Sequence, residues 1–213
     1  PREARDYAWG ILEGIVAGNS AQSARGKTLT VLNRVWLTPT PIALALRDDA
    51  VKLIGQVDAG ERVAIHWALI CAAYPFFLDV ATGVGKALSL NGEIAMSQLV
   101  RRLTEMWGDR STLPPATQRV LRAMLAWGVV REGARRGLYL PPSARISVSP
   151  SVSALLIEGI LIGAEGGVAL EKLMFHPAVF PFVLSSDVAA LRGNTRLSVS
   201  REGDNATIIQ VTR

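Results

Sequence analysis

The stretch LNGEIAMSQLVRRLTEMWGDRSTLPPATQRVLRAMLAWGVVREGARRGLYLPP, from Leu90 to Pro142, decides how this chain reads. Glu93 to Met96 predicts a short strand. Ser97 to Trp107 predicts a helix, because Leu99, Val100, Leu103 and Met106 recur at three- and four-residue spacing on one face. Gly108 ends it, Asp109-Arg110-Ser111-Thr112 forms a polar turn, and Pro114-Pro115 opens a second helix in the turn where a missing N–H costs no hydrogen bond. The buried stripe of this helix is Val120, Leu121, Met124, Leu125 and Trp127, which leaves Gln118, Arg119, Arg122 and Ala126 outside. Gly128 stops the helix. Val129 to Glu132 and Leu138 to Leu140 then read as two strands around the glycine-bounded basic tip Gly133-Ala134-Arg135-Arg136-Gly137.

Strand, helix, turn, helix and hairpin in that order describe a winged helix-turn-helix, a small device that docks on duplex DNA. Gln118, Arg119 and Arg122 are the expected major-groove contacts, with Thr117 beside them and Arg110 at the turn. Arg131, Arg135 and Arg136 on the wing are expected on the phosphate backbone, and Arg25, Lys27 and Arg34 form a second basic face. The charge agrees with this placement. Nine arginines and three acids between Val100 and Arg145 leave +6 there, whereas the whole chain carries +5, so the remainder is close to neutral. Arginine throughout favours planar, bidentate contacts over diffuse solubility charge. The partner expected first is double-stranded DNA, with a homodimer reading two half-sites as a further expectation. A different class of function stays open: a scaffold whose winged unit docks an acidic protein surface.

At 213 residues the chain can bury a core without disulfide staples, and its single cysteine, Cys71, lies in an apolar run with no cationic neighbour to activate it. One cysteine suits a reducing, cytoplasmic setting. The apolar runs Val63 to Leu78 and Val152 to Leu170 are interrupted by His66 and Pro75, and by Glu158 and Glu165. Both fall short of the roughly 20 uninterrupted residues of a membrane span and read as core helices.

The fold class expected is mainly α with small β-hairpins, a helical bundle around the winged unit. Three regions follow: residues 1–75, N-terminal helices; residues 76–145, the winged unit; residues 146–213, helices and a hairpin packed on the core. Helices are predicted over Arg2 to Ala17, with a stripe of Tyr7, Ala8, Ile11, Leu12, Ile15 and Val16, over Ala24 to Leu37, and over Ile42 to Ile54. Asp58 and Glu61 have the spacing of a capping box for the helix that runs through Ala72, and Pro75 separates it from a helix over Phe76 to Leu88. Beyond the wing, helices are expected over Pro150 to Gly163 and Val168 to Phe175. The aromatic, proline-rich run His176 to Phe182 should pack back into the core. A closing hairpin pairs Thr195 to Ser200 with Ala206 to Thr212.

Catalytic chemistry finds little support. Ala21 to Thr28 satisfies a loose phosphate-loop pattern ending in Gly26-Lys27-Thr28, but it follows a helical pattern and not a buried strand, so it reads as a basic helix start. His66, His176 and Cys71 are too few and too scattered for a zinc site. His66 reads as a hydrogen-bonded core histidine and Asp48-Asp49 as a solvated helix face. No nucleophile–base pair can be named, and the expectation is a non-catalytic protein with neither cofactor nor metal.

Several stretches in order resemble the BrxA-like proteins that accompany BREX phage-exclusion systems. They are Leu32-Asn33-Arg34-Val35-Trp36-Leu37; His66-Trp67-Ala68-Leu69-Ile70-Cys71-Ala72-Ala73-Tyr74; Ser111-Thr112 with Thr117 ahead of Arg119-Val120-Leu121-Arg122-Ala123-Met124-Leu125; and His176-Pro177-Ala178-Val179-Phe180-Pro181-Phe182. The resemblance implies a compact, mostly helical, winged-helix DNA-binding accessory of phage defence, working alongside other phage-defence proteins.

Overall fold

The computed structural model describes residues 2–164, 168–185, 196–202 and 206–211. The fold is mainly helical with a few short strands and is built around two apolar helices, α4 (Ala59–Ala73) and α8 (Pro150–Gly163). Asp58 starts α4 as predicted, its Oδ1 accepting the Glu61 N–H at 2.9 Å. The Glu61 side chain does not reach back as the capping box requires. Its Oε1 instead accepts the backbone N–H of Ser149, the residue that caps α8, at 2.6 Å. One helix thus supplies a cap for the other.

Small residues let the two helices touch backbone to backbone. A Cβ on Gly159 would lie 2.3 Å from the Ala68 carbonyl oxygen, and one on Gly163 would lie 2.2 Å from that of Cys71. Only glycine fits at either point. The contacts advance together along both helices, so α4 and α8 run parallel. Between Val152 and Gly163 only Ala154 escapes full burial, which explains why α8 carries apolar residues on every face.

Trp67 of α4 is fully buried at the centre. Phe77, Phe180 and Phe182 meet its ring edge-on at centroid distances of 4.9, 5.8 and 5.5 Å, a favoured geometry for aromatic pairs. Its Nε1 donates to the Ala178 carbonyl at 3.0 Å. The run His176 to Phe182 therefore packs into the core as expected, through a turn of 3-10 helix at Pro177–Val179 and a strand at Phe182–Val183 that pairs in parallel with Ile146–Ser147. Cys71 is buried, and burial pushes its thiol far above the ordinary range.

The N-terminal region departs most from expectation. Helix α1 spans Arg2–Ile11 only; Gly14, at φ +77°, lies in the turns that follow. Its stripe is largely open, with Tyr7 72%, Ile11 51% and Ile15 72% exposed, and only Leu12 of the predicted set is buried. Helix α2 spans Ala24–Leu32, and Asn33–Leu37 continues as a π-helix, a widened turn. A 3-10 turn at Pro41–Ala43 precedes α3 (Leu44–Ile54). His66 is only half-buried, meeting Trp36 edge-on at 5.2 Å.

Helix α5 (Pro75–Asn91) leads into the central unit. After α8, Val168–Ala169 is a strand, β5, and only Leu170–Leu173 is helical (α9), which corrects the longer helix expected there. The closing hairpin forms between β7 (Leu197–Glu202) and β8 (Ala206–Val211), with β5 on the outer side of β8. Thr195 and Thr212, predicted at its ends, lie outside the described residues. Arg196 fastens this hairpin to two helices. Its Nε and Nη2 donate to the two carboxylate oxygens of buried Glu158 at 2.8 and 2.7 Å, and Nη2 also reaches Asp49 at 2.9 Å. Asp49 is thus part of an ion-pair cluster and not of a merely solvated face. Among the described residues, no helix is long and apolar enough to cross a membrane.

Candidate nucleic-acid interface

Ile94–Ala95 (β1) opens the central unit, followed by α6 (Met96–Trp107) and α7 (Leu113–Ala126). Arg131–Glu132 (β2) and Leu138–Leu140 (β3) complete an antiparallel sheet in the order β1-β3-β2. β3 has the predicted bounds, while β1 and β2 are shorter than predicted: Met96 already belongs to the helix, and Val129 and Val130 are buried in the core ahead of β2. Pairing of Ile94 with Tyr139 and Ala95 with Leu138, together with a 2.8 Å bond from the Met96 N–H to the Gly137 carbonyl, pins the hairpin to the start of α6.

The unit is anchored behind by its aromatic residues. Trp107 at the end of α6 donates from Nε1 to Asp79 at 2.9 Å and packs edge-on against Phe76, both on α5. Leu99 and Leu103 on α6, and Leu121 and Met124 on α7, are buried as the periodicity predicts. The solvent-facing positions of the unit carry the charge. Arg101, Arg102, Arg110, Arg119, Arg122, Arg131, Arg135 and Arg136 are all exposed, and among the described residues none of them forms an ion pair. Arg131 alone of these is partly engaged, Nε donating to the Pro141 carbonyl at 3.0 Å.

The phenol of Tyr139 on β3 is pushed up by burial and by the carboxylate of Glu132, and is partly pulled back by the positive charge of Arg122. Arg135 and Arg136 line a cleft with Pro114 and Ser97, so the hairpin tip meets the first turns of both α6 and α7. Arg119 and Arg122 stand on α7, and Gln118 beside them is half-buried. Ser97 lines this cleft without being among the expected contacts, and Arg101 and Arg102 are exposed on the same helix. The excess of arginine in this stretch was the signal for the last two.

Two expected site residues do not belong to it. Thr117 is fully buried, and its hydroxyl donates to the Leu113 carbonyl at 2.9 Å, closing a local helical bond. Arg25 is 3% exposed. Its guanidinium lies 4.1 Å over the Trp9 ring, donates to the Trp9 carbonyl through Nε and Nη2, and reaches Asn19 Oδ1 at 3.2 Å, so it ties α1 to α2. Lys27 and Arg34 remain exposed, Arg34 stacked 4.6 Å over the ring of Tyr74. At the loose phosphate-loop match, the Gly26 N–H is occupied by Ser23 Oγ at 3.2 Å, and a turn precedes the helix.

Comparison of the chain with known protein families, with curated proteins and with solved structures finds no match.

Proposed function

We propose that residues 76–145 form a winged helix-turn-helix that binds double-stranded DNA without catalysing a reaction on it. In this reading α7 enters the major groove with Arg119, Arg122 and Gln118, and Arg110 contacts the backbone at the turn. Arg131, Arg135 and Arg136 follow a phosphate backbone from the hairpin. The observation that carries the reading is the set of exposed arginines, unpaired among the described residues, distributed over a helix, a turn and a hairpin. Unpaired guanidinium groups contribute little to stability where they stand, and phosphate oxygens offer them bidentate partners. The role as an accessory of a BREX-type phage-exclusion system rests on the sequence resemblance alone.

The test is binding to a labelled random-sequence duplex across a salt series. Steeply salt-dependent binding, weakened by Arg119→Ala/Arg122→Ala and by Arg135→Ala/Arg136→Ala in variants that keep their circular dichroism, supports the reading. Absence of binding at low salt overturns it and directs attention to an acidic protein surface as the partner.

A further inference from the structure

The cleft between the hairpin tip and the starts of α6 and α7 is a groove of about 810 Å³, open to solvent along much of its length. Its chemistry is divided. Met96, Val100, Pro114 and Leu138 give it an apolar lining. Arg135 and Arg136 face it from the hairpin, against a single acid, Glu93, so its charged side chains leave a net positive charge. Phosphates on a duplex backbone need the arginines and have no use for the apolar lining. A molecule with an anionic head and an apolar body uses both.

We propose that this cleft is a ligand site for a small amphipathic anion, a carboxylate, sulfonate or phosphate monoester on an aromatic or aliphatic body. The anion pairs with Arg135 and Arg136 while the body covers Met96, Val100 and Leu138. Occupancy has a second effect, which rests on the DNA-binding reading above: it withdraws the two hairpin arginines from phosphate, so the ligand and the duplex compete.

Anilinonaphthalene sulfonate, an anion of this shape that fluoresces when its apolar body leaves water, serves as the probe, titrated into the DNA-free protein. One saturable site per chain is expected. Arg135→Ala/Arg136→Ala should weaken it about tenfold, the equivalent of losing one charge-assisted hydrogen bond. Val100→Trp, which fills the cleft from its apolar side, should abolish it. Circular dichroism identifies any variant that misfolds, and the arginine pair, being exposed, provides a readout that does not depend on repacking. No saturable binding, or binding that both variants leave unchanged, overturns the site. Displacement of a bound duplex by the probe supports the competition; a duplex that stays bound at saturating probe overturns the competition while the site stands. A protein that binds the probe and no duplex at all overturns the DNA reading and the competition together, and leaves the site supported.

Discussion

Gly159 and Ala68 are in contact through backbone atoms: a Cβ on Gly159 would sit 2.3 Å from the Ala68 carbonyl oxygen. The obstacle is main chain and cannot rotate away, so the helices must separate to admit a methyl group. Gly159→Ala is expected to cost about 2–3 kcal/mol, as overpacking of a tight core does. Gly55→Ala is the control. Gly55 has φ −81° with nothing within 4 Å of an added Cβ, and there alanine should stabilise by about 0.4–1 kcal/mol through the unfolded chain. Denaturant midpoints of the two variants, moving in opposite directions, check the packing.

Glu61 holds the Ser149 N–H, and Glu61→Ala removes a charged acceptor from a partly buried donor. A loss of about 2 kcal/mol is expected, whereas Glu61→Gln, which keeps an oxygen in place, should lose less. Equal losses in the two variants, measured by urea unfolding, would count against the bond.

Arg196→Leu leaves the carboxylate of Glu158, which is 2% exposed, without its bidentate partner. The expected cost is about 3 kcal/mol, at the low end for a broken buried pair because Arg196 itself is partly open to solvent. Glu158→Leu/Arg196→Leu should recover most of it. Hydrogen exchange is the finer measurement, since Ile209 on the hairpin should lose protection in the single variant before Trp67 at the centre does.

Acid should weaken the fold in two stages. Burial holds the imidazoles of His66 and His176 below their ordinary 6.5, with the charge of Lys86 adding to the effect at His176. Both are more readily protonated when unfolded, so the stability they confer is complete above 6.5 and is lost as the pH falls from there through the lowered folded values. Burial alone would raise the carboxyl of Asp49, but hydrogen bonds and charge from Lys52 and Arg196 outweigh it and hold the group below 3.8. Its contribution survives the first stage and disappears only as the pH falls below 3.8. Urea titrations from neutral pH into the acid range check the order, and His66→Gln/His176→Gln should flatten the first stage.

In the DNA titration, each arginine that neutralises a phosphate should lower the slope of log K against log salt by about 1 when replaced by alanine. Arg135→Ala and Arg136→Ala are expected to act in this way on all sequences alike, and Arg119→Ala and Arg122→Ala to depend also on the sequence offered. Arg25→Ala should instead destabilise the fold, and an unchanged melt in that variant would contradict its role in tying α1 to α2.

The sequence was most informative where periodicity is strong and local. Leu99 and Leu103, then Leu121 and Met124, marked the buried faces of α6 and α7, and the paired prolines marked where α7 begins. It was least informative where a contact joins distant segments. Nothing local says that Glu61 caps a helix starting at Ser149, or that Arg196 closes on Glu158 and Asp49. Arg25 was misread for the same reason, because a guanidinium beside Lys27 looks like surface charge until Trp9 folds over it. Thr117 has the spacing of the buried residues, four before Leu121 and seven before Met124; only its hydroxyl, which closes a local bond to Leu113, makes it look like a surface group beside Gln118 and Arg119. The apolar stripe from Tyr7 to Val16 meets the rule for a packed helix, but Leu12 alone of it is buried, and Tyr7, Ile11 and Ile15 stay exposed.

Because α4 and α8 run parallel, their macrodipoles point the same way and bring two partially positive ends together. That alignment is mutually unfavourable, and an antiparallel pair would avoid it. Glu61 stands where the two ends meet, in the first turn of one helix and bonded to the cap of the other. A single carboxylate thereby serves as counter-charge to both, and a parallel pairing with glycine-close backbones becomes tolerable at the centre of the fold.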